Sequence, residues 1–148
     1  MKSWPQFSEQ GDLPLGIHQA TLGEVVQHFG RATFQRAVLA RRLERIYELA
    51  HATDHLARFI IFGSFITAKL EPNDIDIFLL MDDLFEVGQV QPDARLVFDH
   101  PVAQNLLGAS IFWIRRAAAL GGEAASVAHW QIKRDRSRRG IVEVTAHD

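Results

Sequence analysis

The run Asp74-Ile75-Asp76-Ile77-Phe78-Leu79-Leu80-Met81 constrains this chain most, because it sets two carboxylates two residues apart in an otherwise apolar segment. As a strand, Asp74 to Met81 turns alternate side chains to opposite faces, so Asp74 and Asp76 share one face while Ile75 and Ile77 enter a core. Two carboxylates on one face of an apolar strand are costly to bury without compensation. A divalent metal is the usual compensation, and paired carboxylates acting with phosphate oxygens suit magnesium best. The plainer reading is a solvated strand start with Pro72-Asn73 as a simple turn. Asp76 weighs against it, lying inside a hydrophobic run. Upstream stands Phe62-Gly63-Ser64-Phe65. A glycine lets backbone approach a phosphate closely, and amides at a helix start together with a serine hydroxyl can hold it. Alone, Gly63-Ser64 reads as a strand-to-helix turn with Ser64 as N-cap. Paired with the two aspartates, it reads as half of a nucleotide site.

The remaining sequence frames that motif. At 148 residues and 47% hydrophobic content, the chain fits one domain with a real core. The absence of cysteine excludes disulfides, thiolate zinc sites and a cysteine nucleophile. Met1 to Asp12 has no apolar core of signal-peptide length, and no run approaches a membrane span, so a cytoplasmic protein with no membrane partner is expected. A net charge of −2 gives no whole-protein case for nucleic-acid binding.

Residues 1 to about 20 read as an extended, turn-rich arm around Gly11-Asp12-Leu13-Pro14-Leu15-Gly16, in which His18 packs or caps. Thr21 and Glu24 form a capping box that starts a short helix ended by Gly30. Residues 31 to 53 predict the long helix, with Leu39, Leu43, Ile46, Tyr47 and Ala50 as its apolar stripe. Arg36, Arg41, Arg42 and Arg45 mostly fall off that stripe and read as a solvated face. Arg58 to Phe62 and Ser110 to Ile114 predict strands beside Asp74 to Met81, these three forming the sheet centre. Residues 101 to 107 and Glu123 to Ile132 read as helices. Gly140 to Thr145 alternates like an edge strand. The fold class is therefore α/β, or α+β: a small mixed β-sheet with helices packed mainly on one face. His51 and His55, four apart, could offer a zinc face, but with no third ligand they read as a solvated helix end. Lys133-Arg134-Asp135-Arg136-Ser137-Arg138-Arg139 reads first as an exposed turn feeding the last strand. Its functional alternative is an arm gripping a triphosphate tail, RNA or an acidic partner. With little aromatic interleaving beyond Trp130, stacking on RNA has weak support.

Hydrophobic-Gly-Ser, a gap of about ten residues and Asp-x-Asp in a hydrophobic strand resemble the nucleotidyltransferase superfamily, whose fold is that of DNA polymerase beta and of the minimal nucleotidyltransferases in toxin–antitoxin loci. Leu13-Pro14-x-Gly16-Ile17-His18-x-Ala20-Thr21, Lys69-x-Glu71-Pro72 and Arg134-Asp135-Arg136 before Gly140-Ile141-Val142 resemble a small, uncharacterised bacterial nucleotidyltransferase-like family across nearly the whole chain. The resemblance implies a single domain in which Gly63 and Ser64 hold the β- and γ-phosphates of a nucleoside triphosphate. Asp74 and Asp76, as catalytic residues, would ligate up to two magnesium ions, and Lys69 would neutralise phosphate charge. A protein or RNA hydroxyl would attack the α-phosphate and pyrophosphate would leave, as in an adenylyltransferase. Active members of the superfamily usually carry a third carboxylate on a neighbouring strand. Gly108-Ala109-Ser110 puts Ser110 at that position, with Asp99 the alternative acid. The substitution leaves the second ion short of a ligand and points to weakened catalysis. It keeps open a degenerate binding module, such as an antitoxin neutralising a toxin-like partner protein.

Overall fold

The computed structural model describes residues 2–148, so Met1, the first residue of the expected arm, lies outside the described residues. Five strands form one mixed sheet in the order β1 (Ile17–Thr21), β5 (Ile141–Ala146), β2 (Leu56–Phe62), β3 (Ile75–Met81) and β4 (Ala109–Arg115). β1 runs parallel to β5 and β3 parallel to β4, whereas β2 is antiparallel to both its neighbours. Among the described residues the α-helices are α1 (Leu22–Phe29), α2 (Phe34–His51), α3 (Pro92–Arg95), α4 (His100–Leu107) and α5 (Glu123–Ala128). The structure is thus mixed α/β. Among the described residues, no helix is long and apolar enough to cross a membrane.

Local chemistry starts both N-terminal helices. Thr21 Oγ1 accepts from the Glu24 amide at 3.2 Å while the Thr21 amide donates to Glu24 Oε1 at 2.9 Å, closing the capping box. Thr33 caps α2 through the Arg36 amide. α2 lays Leu39, Leu43, Ile46 and Ala50 on the sheet face that carries Ile75, Ile77 and Leu79, and all are buried in the main core. α1, α3 and α4 add Val25, Phe29, Ala94 and Ala103 to the same side. α5 covers the opposite face, where Val127 meets Ile60, Phe78, Leu80 and Ile141, with Trp130 packed alongside.

Three readings of the sequence need correction. The arm ends before Ile17, because Ile17–Thr21 forms a parallel edge strand on β5. β5 is interior and β4 is the other edge, so Ser110 to Ile114 is not central. The charge that makes β5 look like an edge is Glu143, buried beneath Arg58, which donates from Nε at 2.7 Å and from Nη2 at 2.9 Å. The third correction is larger. Arg36 is not solvated: it is 4% exposed. Its guanidinium donates to the carbonyls of Phe29 (3.0 Å), Phe65 (2.6 Å), Thr67 (2.7 Å) and Lys69 (3.1 Å from Nε). Those carbonyls substitute for water around a buried charge, and they bind the loop after β2 to α2.

Candidate functional site

The acid motif sits where β3 begins. Asp76 pairs with Phe62 across the β2–β3 ladder and with Ser110 across the β3–β4 ladder. Asp74 precedes the strand, and strand alternation gives it the face of Asp76. Ser110, 9% exposed, donates from Oγ to Asp74 Oδ2 at 3.3 Å and accepts from Gln104 Nε2 of α4 at 3.2 Å. The two aspartates and the serine therefore form one cluster built from two chain segments, the start of β3 and the start of β4. Burial first, and then the neighbouring Asp74 charge, push the Asp76 carboxyl up to about 6, against the pull of Arg139 and Arg134.

Gly63 ends β2 directly beside this cluster. Its φ of +80° lies in the region that favours glycine. A Cβ there would run into Asp76 Oδ2 and Cγ. The close approach the glycine permits is thus to the Asp76 carboxylate. Ser64 follows in a single 3-10 turn, Ser64–Ile66, without capping it by a side-chain bond. Its carbonyl accepts from Thr67 Oγ1 at 2.7 Å. Lys69 is exposed, but its carbonyl is held by Arg36.

Asp99 stands apart in role. It is exposed and N-caps α4, accepting from the Val102 amide at 3.2 Å. Among the described residues, no three His, Asp or Glu side chains converge as a group able to hold a metal. His51 ends α2, whereas His55 lies beyond it with Nδ1 against both Asp82 oxygens at 2.9 Å. The two histidines share no helix face.

The run from Lys133 to Arg139 makes a tight turn, with Lys133 N donating to Ser137 O at 2.8 Å and Arg136 at φ +71°. Its ends are not free. Lys133 Nζ and Arg139 Nη1 meet the Asp12 carboxylate at 3.3 and 3.2 Å. A cleft of about 510 Å³ lies there, walled by Ser64, Thr67, Lys69, Lys133 and Arg139 with the arm residues Glu9 to Asp12. Nothing local in the sequence marks Asp12, Gln104 or Arg36 for these positions, since each finds its partners through distant segments.

Chemically, two carboxylates and a hydroxyl on one face, with cations nearby, offer oxygen ligands for a hard divalent ion whose remaining positions go to water or phosphate. A two-carboxylate set is what magnesium takes when substrate phosphates complete its sphere. Comparisons with curated proteins and with solved structures found no match. A family model matches residues 5–145, from the N-terminal arm through β5, and the chain therefore belongs to DUF6932, a family of unknown function.

Proposed function

We propose that this chain is a nucleotidyltransferase-like protein that binds a magnesium nucleoside triphosphate at Asp74 and Asp76. The single observation that carries the reading is the convergence of Gly63, Asp74, Asp76 and Ser110 at one end of the sheet, from β2, β3 and β4. A half-buried Asp76 beside a second carboxylate is unfavourable by itself and becomes favourable when a cation is shared between them. Magnesium would be held by Asp74 and Asp76 and would supply charge neutralisation for the phosphates. Gly63 stands against the Asp76 carboxylate, and Ser64 and Lys69, which line the adjoining cleft, would contact the phosphates.

Ser110 decides how far the chemistry goes. A neutral hydroxyl cannot replace a carboxylate as a strong metal ligand, nor act as a base unaided. Transfer of a nucleotide monophosphate to a protein or RNA hydroxyl is therefore slow or lost. The second reading, a binding module that neutralises a partner protein, draws on the same observation, because Ser110 is tied up by Gln104 and Asp74.

Calorimetric titration with magnesium and each nucleoside triphosphate tests the site. Asp76→Ala should weaken metal-dependent nucleotide binding at least tenfold, about 1.4 kcal/mol. Equal binding by wild type and variant, or none by either, removes the nucleotide site.

A further inference from the structure

The cleft beside Ser64 has the make-up of an anion site with an internal anion already in it. Three cations, Lys69, Lys133 and Arg139, face two carboxylates, Glu9 and Asp12. Glu9 is exposed, whereas Asp12 is 8% exposed and bridges Lys133 and Arg139 at 3.3 and 3.2 Å. A carboxylate spanning an ammonium and a guanidinium occupies the ground that a phosphate oxygen pair would occupy. The volume of about 510 Å³ exceeds the need of one carboxylate, and Ser64 lines it.

The backbone around Asp12 is fixed independently of its side chain. Gly11 O accepts from the Ala68 amide at 2.8 Å, and Leu13 O accepts from the Gly140 amide at 2.9 Å. Leu13 is itself buried in the main core. Rotation of the Asp12 side chain would thus release both cations without detaching the arm. On the opposite wall, Arg36 holds the carbonyls of Thr67 and Lys69, which fixes the backbone from which the Lys69 side chain extends.

We propose that this cleft is a polyphosphate subsite, in which Lys133, Arg139 and Lys69 bind phosphate oxygens and Asp12 is the internal anion they displace. The subsite deepens the nucleotide reading above and rests on it only for the source of the phosphates. The N-terminal arm then acts as a competitor that sets affinity, because every bound phosphate must replace the Asp12 carboxylate.

The sign of one substitution tests this. Tripolyphosphate is titrated calorimetrically into the full chain in the presence of a chelator, so that metal plays no part. Asp12→Asn should raise affinity three- to tenfold, since the competing charge is gone, and Lys133→Gln or Arg139→Gln should lower it about tenfold. A structural role for Asp12 predicts the reverse for Asp12→Asn. Unchanged or weakened binding in that variant, with its folding verified by circular dichroism, overturns the proposal. If Asp12→Asn does not fold, the two cation variants decide: affinity equal to wild type in both overturns the subsite, and loss in both supports it. Metal-free ATP separates the sources. ATP bound at least tenfold more tightly than tripolyphosphate assigns the cleft to a nucleotide tail, and equal affinity assigns it to phosphates alone. A single-stranded RNA oligonucleotide that binds more tightly than both, insensitive to Asp12→Asn, overturns the assignment. If magnesium-dependent nucleotide binding is absent while these effects persist, the nucleotide reading fails and the subsite stands.

Discussion

Ser110 Oγ lies 3.3 Å from Asp74 Oδ2, across the parallel pairing of β3 and β4 that sets Ser110 opposite Asp76. A neutral hydroxyl at this point adds no third negative charge to a cluster in which Asp76 already holds its proton more tightly than an ordinary aspartate. The serine therefore adds no repulsion to the pair, and if the proposed magnesium binds here it offers a weaker ligand than a carboxylate would.

Ser110→Asp should expose that trade. In chelator, the variant should be less stable than wild type by about 1–3 kcal/mol, because a third carboxylate joins two that already repel. Millimolar magnesium should then raise its melting temperature more than it raises that of wild type, through ligand linkage to the folded state. Thermal unfolding with and without magnesium reads both effects. A variant that gains nothing from magnesium would rule out Asp74 and position 110 as neighbours around one ion.

Asp76 should give stability an unusual pH dependence. Burial and the Asp74 charge push its folded carboxyl up to about 6, from an ordinary value of 3.8. Between those two values the folded state keeps a proton that the unfolded state has lost, so stability falls as pH rises through this window. Above it the penalty is complete, on the order of 1–3 kcal/mol after allowance for the carboxyl's partial contact with solvent. Asp76→Asn in chelator should therefore be more stable than wild type at pH 7.5, and the gain should vanish near pH 4. Urea unfolding across that range measures it; a gain that grows towards acid contradicts the assignment.

Arg36 carries a heavier structural load than its place in a charged helix suggests. Arg36→Met leaves the carbonyls of Phe29, Phe65, Thr67 and Lys69 without their donor, at about 1–3 kcal/mol for each one that stays buried. A loss of at least about 3 kcal/mol is expected in urea unfolding, with new protease cleavage between residues 64 and 71. Arg36→Lys should recover less than half, because a point-like ammonium cannot span these acceptors. Full recovery by lysine would mean that charge, and not the planar fork, organises the loop.

Much of the local structure was legible in the sequence because it depends on short-range periodicity and capping. Alternation along Asp74 to Met81 put Ile75 and Ile77 in the core and both carboxylates on the other face. Thr21 and Glu24 announced α1 by their three-residue spacing, and the spacing of Leu39, Leu43, Ile46 and Ala50 announced the buried face of α2. Burial of Arg36 was not legible, since its acceptors come from α1 and from the loop after β2, up to 33 residues away. The same limit concealed the interior place of β5, where Glu143 is tolerated because Arg58, 85 residues earlier, meets it. It also concealed Asp12, whose cations follow it by 121 and 127 residues. By itself, then, the sequence determined which residues alternate, which cap and which stripe packs inward, because those properties depend on neighbours within a turn or a strand. Only the tertiary structure decided which charges are buried and what satisfies them, because a polar group's environment is made by segments remote in the chain and leaves no pattern around the residue itself.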